Sequence, residues 1–260
     1  MLIQQNGLLL EERYNGLGGI TRGEFLASGT KSFSCALAVA AEDDGIMRID
    51  DPASSAITSW APGGSAPDNP AKNGVRIANL LSQTAGISNT GESGLGLNNV
   101  DSYRQAITAR SAAPPDQRLI YGPNSFQALS AAFQLRTGGQ LNADGSVTGG
   151  TDSLAYLQQR VLSRIGIQPT AWSRDVRGQP NFGGGASFTA RDFATYGQFI
   201  LQRGQWQGVQ VLSAERIGRC SSYSNPAFLG YGFGFWLNRK VGSSYAQGID
   251  SVPWPGDVLQ

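Results

Sequence analysis

The sequence predicts an α/β sandwich, a mostly antiparallel sheet flanked by helices, with an all-helical lobe inserted into it. Two observations predict it: strand-like runs stand near both ends of the chain, and helical spacing fills the middle. The composition, 260 residues with 40% hydrophobic and 15% charged, gives enough chain to bury a core and excludes disorder and a coiled coil. Residues 1–50 and 186–260 are expected to build the sheet lobe, and residues 51–185 the mainly helical one.

Leu2 to Gln5 reads as a strand turned by Asn6-Gly7 into a second, Leu8 to Tyr14, a strong short-range hairpin signal. Gly16 to Gly23 is a loop. Ser28-Gly29-Thr30-Lys31 opens a run of small and apolar residues, Ser32 to Ala41, that reads as a buried helix. A Pro- and Gly-rich connection leads to Val75–Leu81, a short amphipathic helix stopped at Gly86. Residues 88–99 read as loop. Tyr103 to Ala109, Phe126 to Leu135 and Ser153 to Ile165 carry helical spacing, with Pro114-Pro115 and Gly122-Pro123 as breaks. Thr189 caps a helix running to Leu201, Val209 to Leu212 is strand-like, and Tyr231 to Leu237 alternates like a strand with a Gly-lined face.

Lys+Arg 20 against Asp+Glu 19, without a block of like charge, leaves no footprint for nucleic acid or an anionic bilayer. No run of 18 apolar residues spans a membrane, and the first residues lack the pattern of a signal peptide. If a leader was removed the protein is periplasmic or secreted; otherwise the cytoplasm fits. Cys35 and Cys220 are too few and too far apart for a metal cluster or a disulfide framework, and both read as structural, Cys35 as a small buried thiol.

Histidine is absent, which rules out a Ser-His-Asp triad, a Cys-His dyad and an imidazole zinc site. A serine nucleophile then needs another base, and a lysine three residues on lies on the same helix face. Ser28 and Lys31 have that spacing. With three lysines and 26 serines in the chain, about 0.3 such matches arise by chance, so spacing alone equally fits a capping Ser28 and a solvated Lys31. Placement at a helix start adds weight, because free N–H groups and the helix dipole favour an oxyanion there, and burial lowers a lysine pKa toward the neutral amine. Tyr121, before a Gly-Pro turn, is a candidate proton shuttle, or else a core tyrosine beside Phe126.

Ala27-Ser-Gly-Thr-Lys-Ser-Phe33 and Leu80-Leu-Ser-Gln-Thr-Ala-Gly-Ile87 resemble, in that order, the Ser-x-x-Lys and Leu-Leu-x-x-Thr-Ser-Gly-Leu segments of the serine beta-lactamase and penicillin-binding protein superfamily, nearest its class C and esterase branch. Tyr121-Gly-Pro-Asn124 is similar to its second motif, more often Tyr-x-Asn. The segment Gly183 to Asp192, the turn Gly204 to Gly208 and Tyr231-Gly-Phe-Gly-Phe-Trp236 are similar to later segments. The resemblance implies Ser28 as nucleophile, Lys31 as its base or electrostatic partner, Tyr121 as base or shuttle, and Asn124 as a substrate contact. It implies no metal or organic cofactor, and a small-molecule or peptide-like acyl partner.

The third motif, Lys-Thr-Gly or His-x-Gly on a strand, has no secure counterpart. Lys240-Val241-Gly242 has the letters and is a weak candidate for substrate binding, but it reads as the turn beyond the Trp236 strand. The opening helix, the last strands and the closing helix of the superfamily find no residues to map onto, so a chain truncated at both ends is expected. The leading expectation is a serine hydrolase forming an acyl-Ser28 intermediate on an ester, amide or beta-lactam carbonyl. The alternatives are a non-catalytic binding or scaffold module, an inactive fragment of the hydrolase, and, last, a carbohydrate surface built from Trp60, Trp172, Trp206, Trp236 and Trp254.

Overall fold

The computed structural model describes residues 1–5, 7–89, 99–223 and 225–237, with the backbone alone of 240–241 and 244–245. A hairpin of β1 (Leu2–Gln5) and β2 (Leu8–Glu12) is followed by β3 (Glu24–Phe25), a 3-10 helix over Ala27–Ser32 and helix α1 (Phe33–Asp43). Helices α2 (Asn69–Lys72), α3 (Ile77–Leu81), α4 (Ser102–Thr108) and α5 (Asn124–Arg136) come next, then the β4 (Gly139–Leu141) and β5 (Val147–Gly149) hairpin and α6 (Ser153–Arg160). Strands β6 (Ala171–Trp172) and β7 (Ala186–Phe188) precede α7 (Ala190–Leu201), the pair β8 (Gln205–Trp206) and β9 (Val209–Gln210), α8 (Ala214–Ser222), β10 (Lys240–Val241) and β11 (Ser244–Tyr245).

The fold is an α/β arrangement of helices with antiparallel sheets. The expected single sheet assembled from both ends is not what the strands make: among the described residues they form five small sheets, and only β3–β7–β6 has three strands. That sheet does join the two ends of the sequence, Glu24 and Phe25 pairing with Phe188 and Ser187.

Helix α1 is the axis of the core. Its run from Phe33 to Ala41 is wholly buried, as an all-round apolar helix must be. The helix closes on Glu42, Asp43 and Asp44, acids at the negative end of the helix dipole, and cations from two other helices neutralise them. Arg216 of α8 lies 2.5 Å from Asp43, and Arg160 of α6 lies 3.0 Å from Asp44. The helix that follows the Ser28 turn is thereby clamped at its far end. Thr189 caps α7 as expected, its side chain accepting from the Asp192 N–H, and the Tyr196 hydroxyl of α7 donates to the Ser32 carbonyl at 2.8 Å. Phe33 packs between Tyr196 and Phe188, with ring centroids 4.1 and 4.9 Å away.

Several expectations are corrected. Cys35 and Cys220 are not separate thiols: both are buried and form a disulfide between α1 and α8. Spacing along the chain carried no sign of it, because 185 residues separate the two and only the packing of α8 on α1 brings them together. The helix expected over 153–165 breaks at Val161, whose ψ of -65 goes with a φ of -128, and resumes as a 3-10 turn over Leu162–Ile165. Tyr231 to Leu237 is a tight loop closed by a Tyr231–Trp236 bridge, not a strand, since Gly234 takes a φ of +82. Lys240–Val241 is a strand, β10, paired with β11 rather than a turn; Gly242 lies outside the described residues. Of the tryptophans, Trp60 is fully buried in the core, donating from its ring nitrogen to Ile107 O, and Trp172 packs on Phe33 and Phe182. They do not form one surface; Trp254 lies outside the described residues. Among the described residues no helix is long and apolar enough to cross a membrane.

Closing a 185-residue loop with the disulfide stabilises the fold by on the order of 5 kcal/mol in the chain-entropy account. Denatured, unreduced protein treated with iodoacetamide should take up no label by mass spectrometry, and two labels after reduction; two labels without reduction would show the bond is not formed.

Candidate active site

Ser28 sits on a 3-10 turn, not at the start of an α-helix. The difference helps the pair: with three residues per turn, side chains at i and i+3 eclipse, so Lys31 stands directly over Ser28. Its Nζ donates to Ser28 Oγ at 2.9 Å and to the Gly183 carbonyl at 2.5 Å. Ala27, just before Ser28, holds a left-handed φ of +46, a conformation costly for a residue with a Cβ and kept only where the surroundings impose it. Those surroundings are β7: the Leu26 N–H donates to the Ala186 carbonyl at 2.9 Å, and Thr30 Oγ accepts from the Ala186 N–H at 3.0 Å.

Lys31 is only 3% exposed, and among the described residues no carboxylate pairs with it. Burial alone lowers its pKa from 10.5 to about 8, because the charged form loses its hydration. The ammonium lies 4.9 Å from the centroid of the Tyr121 ring and 6.0 Å from that of Phe126, a cation–π contact with the ring face. Tyr121 is itself 38% exposed, stacked on Trp236 at 5.2 Å and edge-on to Tyr231 at 5.9 Å.

Asn124 takes a different place from a substrate contact facing solvent. It is 1% exposed, its amide donates to the Ser88 carbonyl at 2.7 Å, and its backbone N–H donates to Asn89 Oδ1 at 3.1 Å. It fastens the Ser88–Asn89 segment beside Tyr121. Of Lys240 only the backbone is described. The structure thus brings Ser28, Lys31 and Tyr121 together and sets Asn124 behind them. Sequence reasoning gave Gly183 no part in the site, since a backbone carbonyl leaves no side-chain signature; the Gly183-Gly184-Gly185 run was the available signal. A Cβ on Gly183 would lie 2.5 Å from Pro123 Cβ, and one on Gly234 only 2.4 Å from the Lys31 carbonyl. The two glycines allow close approach to Pro123 and to the Lys31 backbone, respectively. Among the described residues no group of three or more His, Cys, Asp or Glu could hold a metal.

A serine and a desolvated lysine in hydrogen-bond contact, set in helices around short antiparallel strands, define a beta-lactamase/transpeptidase-like fold. The family model for Beta-lactamase matches residues 25–258, and the chain belongs to that family. A protein from Bacteroides dorei described as a beta-lactamase is similar in structure with a TM-score of 0.70 at 17% identity, over 91% of this chain and 72% of that one. A protein from Bacillus anthracis described as a 6-aminohexanoate-dimer hydrolase gives 0.68 at 19%, over 94% and 66%. A D-stereospecific amidohydrolase from Streptomyces gives 0.58 at 16%, over 86% and 73%. A search of curated protein sequences finds no match.

Gly234→Ala should cost more than about 2 kcal/mol in a denaturant titration, combining a forbidden φ with overpacking. Gly197→Ala, where an added Cβ meets nothing on the exposed face of α7, should instead gain about 0.5–1 kcal/mol. Equal effects from the two would refute the close approach at Lys31.

Proposed function

We propose that the protein is a serine hydrolase acting through an acyl-Ser28 intermediate, with Lys31 as the general base. The observation that carries this reading is the 2.9 Å contact between Lys31 Nζ and Ser28 Oγ, with the amine buried and its pKa at about 8. At pH 7 roughly a tenth of such a lysine is neutral, against about three in ten thousand for one titrating normally. The neutral amine accepts the Ser28 proton along the same line on which the ammonium now donates. Ser28 Oγ then attacks the substrate carbonyl, and the ammonium formed keeps the Gly183 carbonyl and the Tyr121 ring face as partners.

Tyr121 is the shuttle that delivers the proton to the leaving group. Its 38% exposure gives it access to a ligand, while Trp236 and Tyr231 fix its ring. Asn124 contributes by holding the Ser88–Asn89 segment. Lys240, on a strand as the superfamily's third motif is, remains the candidate contact for the substrate's acyl side. An amide or beta-lactam substrate is favoured over an ester, because the matching family model is that of Beta-lactamase and two of the similar structures are described as a 6-aminohexanoate-dimer hydrolase and a D-stereospecific amidohydrolase.

Intact mass spectrometry after a fluorophosphonate should show one adduct, on Ser28, absent in Ser28→Ala. Its rate should rise with pH and level off above about 8 as Lys31 loses its proton. Lys31→Met should slow it by about 10²–10⁴-fold and remove that pH dependence. A folded chain that takes no adduct favours the non-catalytic binding module or an inactive fragment of the hydrolase.

A further inference from the structure

We infer that Asp116 is a positioning residue for Tyr121, an acceptor whose carboxylate locks together the three segments framing that ring; the inference rests on the role proposed for Tyr121. The segment leading to Tyr121 is laid along Gln83 and Thr84. The Asp116 N–H donates to the Thr84 carbonyl at 2.9 Å, the Ile120 N–H to the Gln83 carbonyl at 2.9 Å, and the Gly122 N–H to Gln83 Oε1 at 2.6 Å. Backbone pairing alone would let this strip slide with its neighbours. The Asp116 side chain prevents it.

Asp116 Oδ1 accepts from two amides on different parts of the chain: Asn79 Nδ2 of α3, at 2.6 Å, and Asn225 Nδ2. Both amides also reach Thr84 Oγ1, at 3.1 and 3.2 Å, so the carboxylate and the threonine hold the two asparagines as a pair. Asn79 and Asn225 are buried, and buried amides need these acceptors. Asp116 adopts a φ of +62, a left-handed conformation that aspartate tolerates better than most residues, and this turns its carboxylate inward to them.

The Asn225 end is what reaches the ring. Asn225 closes the turn to Phe228 through the Phe228 N–H and the Ala227 N–H. Phe228 presents its ring edge-on to Trp236 at 6.2 Å, and Trp236 stacks on Tyr121. Tyr121 is therefore held from its own segment and from its stacking partner, and both holds converge on one carboxylate oxygen. Among the described residues the other oxygen meets Arg76 alone, 3.1 Å away in an exposed ion pair, worth little on its own. The positioning work belongs to Oδ1, which an asparagine can reproduce.

The test uses the whole chain labelled with 5-fluorotryptophan, the Trp236 resonance being assigned by Trp236→Phe, and the fluorophosphonate acylation rate. Asp116→Ala should move the Trp236 fluorine resonance while leaving that of Trp60 in place, and slow acylation by tenfold or more. Asp116→Asn should restore both to near wild type, a rescue that a loss of general stability would not show. Asn225→Ala, which removes one arm only, should move the same resonance and covers the case in which Asp116→Ala does not fold. An unmoved Trp236 resonance in both alanine variants, or an Asp116→Asn variant as impaired as Asp116→Ala, would overturn the inference. If the wild-type chain does not acylate, the resonance still decides on Asp116 while the hydrolase reading fails separately.

Discussion

A lysine amine held out of water, with no carboxylate paired to it among the described residues, is the constraint around which the rest of the structure is arranged. Keeping Lys31 charged where it lies costs about 3 kcal/mol relative to a solvated lysine, the equivalent of lowering its pKa from 10.5 to about 8. A surface salt bridge would remove that cost and with it the neutral amine. The chain instead gives Nζ two oxygen acceptors, Ser28 Oγ and the Gly183 carbonyl, and an aromatic face. The sign follows from linkage: between about pH 8 and 10.5 the unfolded chain still binds a proton that Lys31 has released, so stability rises with pH across that window. Lys72, fully buried with Nζ on the Ile107 carbonyl and a pKa likewise lowered to about 8, adds a contribution of the same sign.

Fold and site meet in α1. The core needs an apolar helix there, and the Ser28 turn is its N-terminal continuation, so whatever fixes α1 fixes Lys31. The arginine clamps on Asp43 and Asp44, the disulfide to α8 and the Tyr196 bond to Ser32 all act on this one element from separate parts of the chain. Glycines complete the arrangement, since Gly183 and Gly234 allow backbone to approach where a side chain would hold it off.

Much of this was legible in the sequence because it is local. The apolar run after Lys31, the Thr189 cap and the Asn6-Gly7 turn signal each depend on neighbours within a few residues. The Ser28–Lys31 contact was legible for the same reason, although the turn is 3-10 rather than α. What sequence could not carry is set by packing: strands of two residues have no periodicity to read, the cysteine pairing exists only once α8 lies on α1, and the Gly183 carbonyl is a backbone group. Asn124 had the right residue type in the right motif, yet its side chain turns inward to Ser88, a direction that spacing does not encode. Helix α8 was missed although Ser213 caps it and its spacing is amphipathic.

The protonation state of the Lys31 amine can be measured directly. The chain has three lysines, 31, 72 and 240, so a sample labelled with ¹³C at lysine Cε gives a short spectrum that Lys31→Arg and Lys72→Arg assign. The Lys31 signal should titrate near pH 8. A Lys31 signal that titrates at the ordinary lysine value, near 10.5, would contradict it.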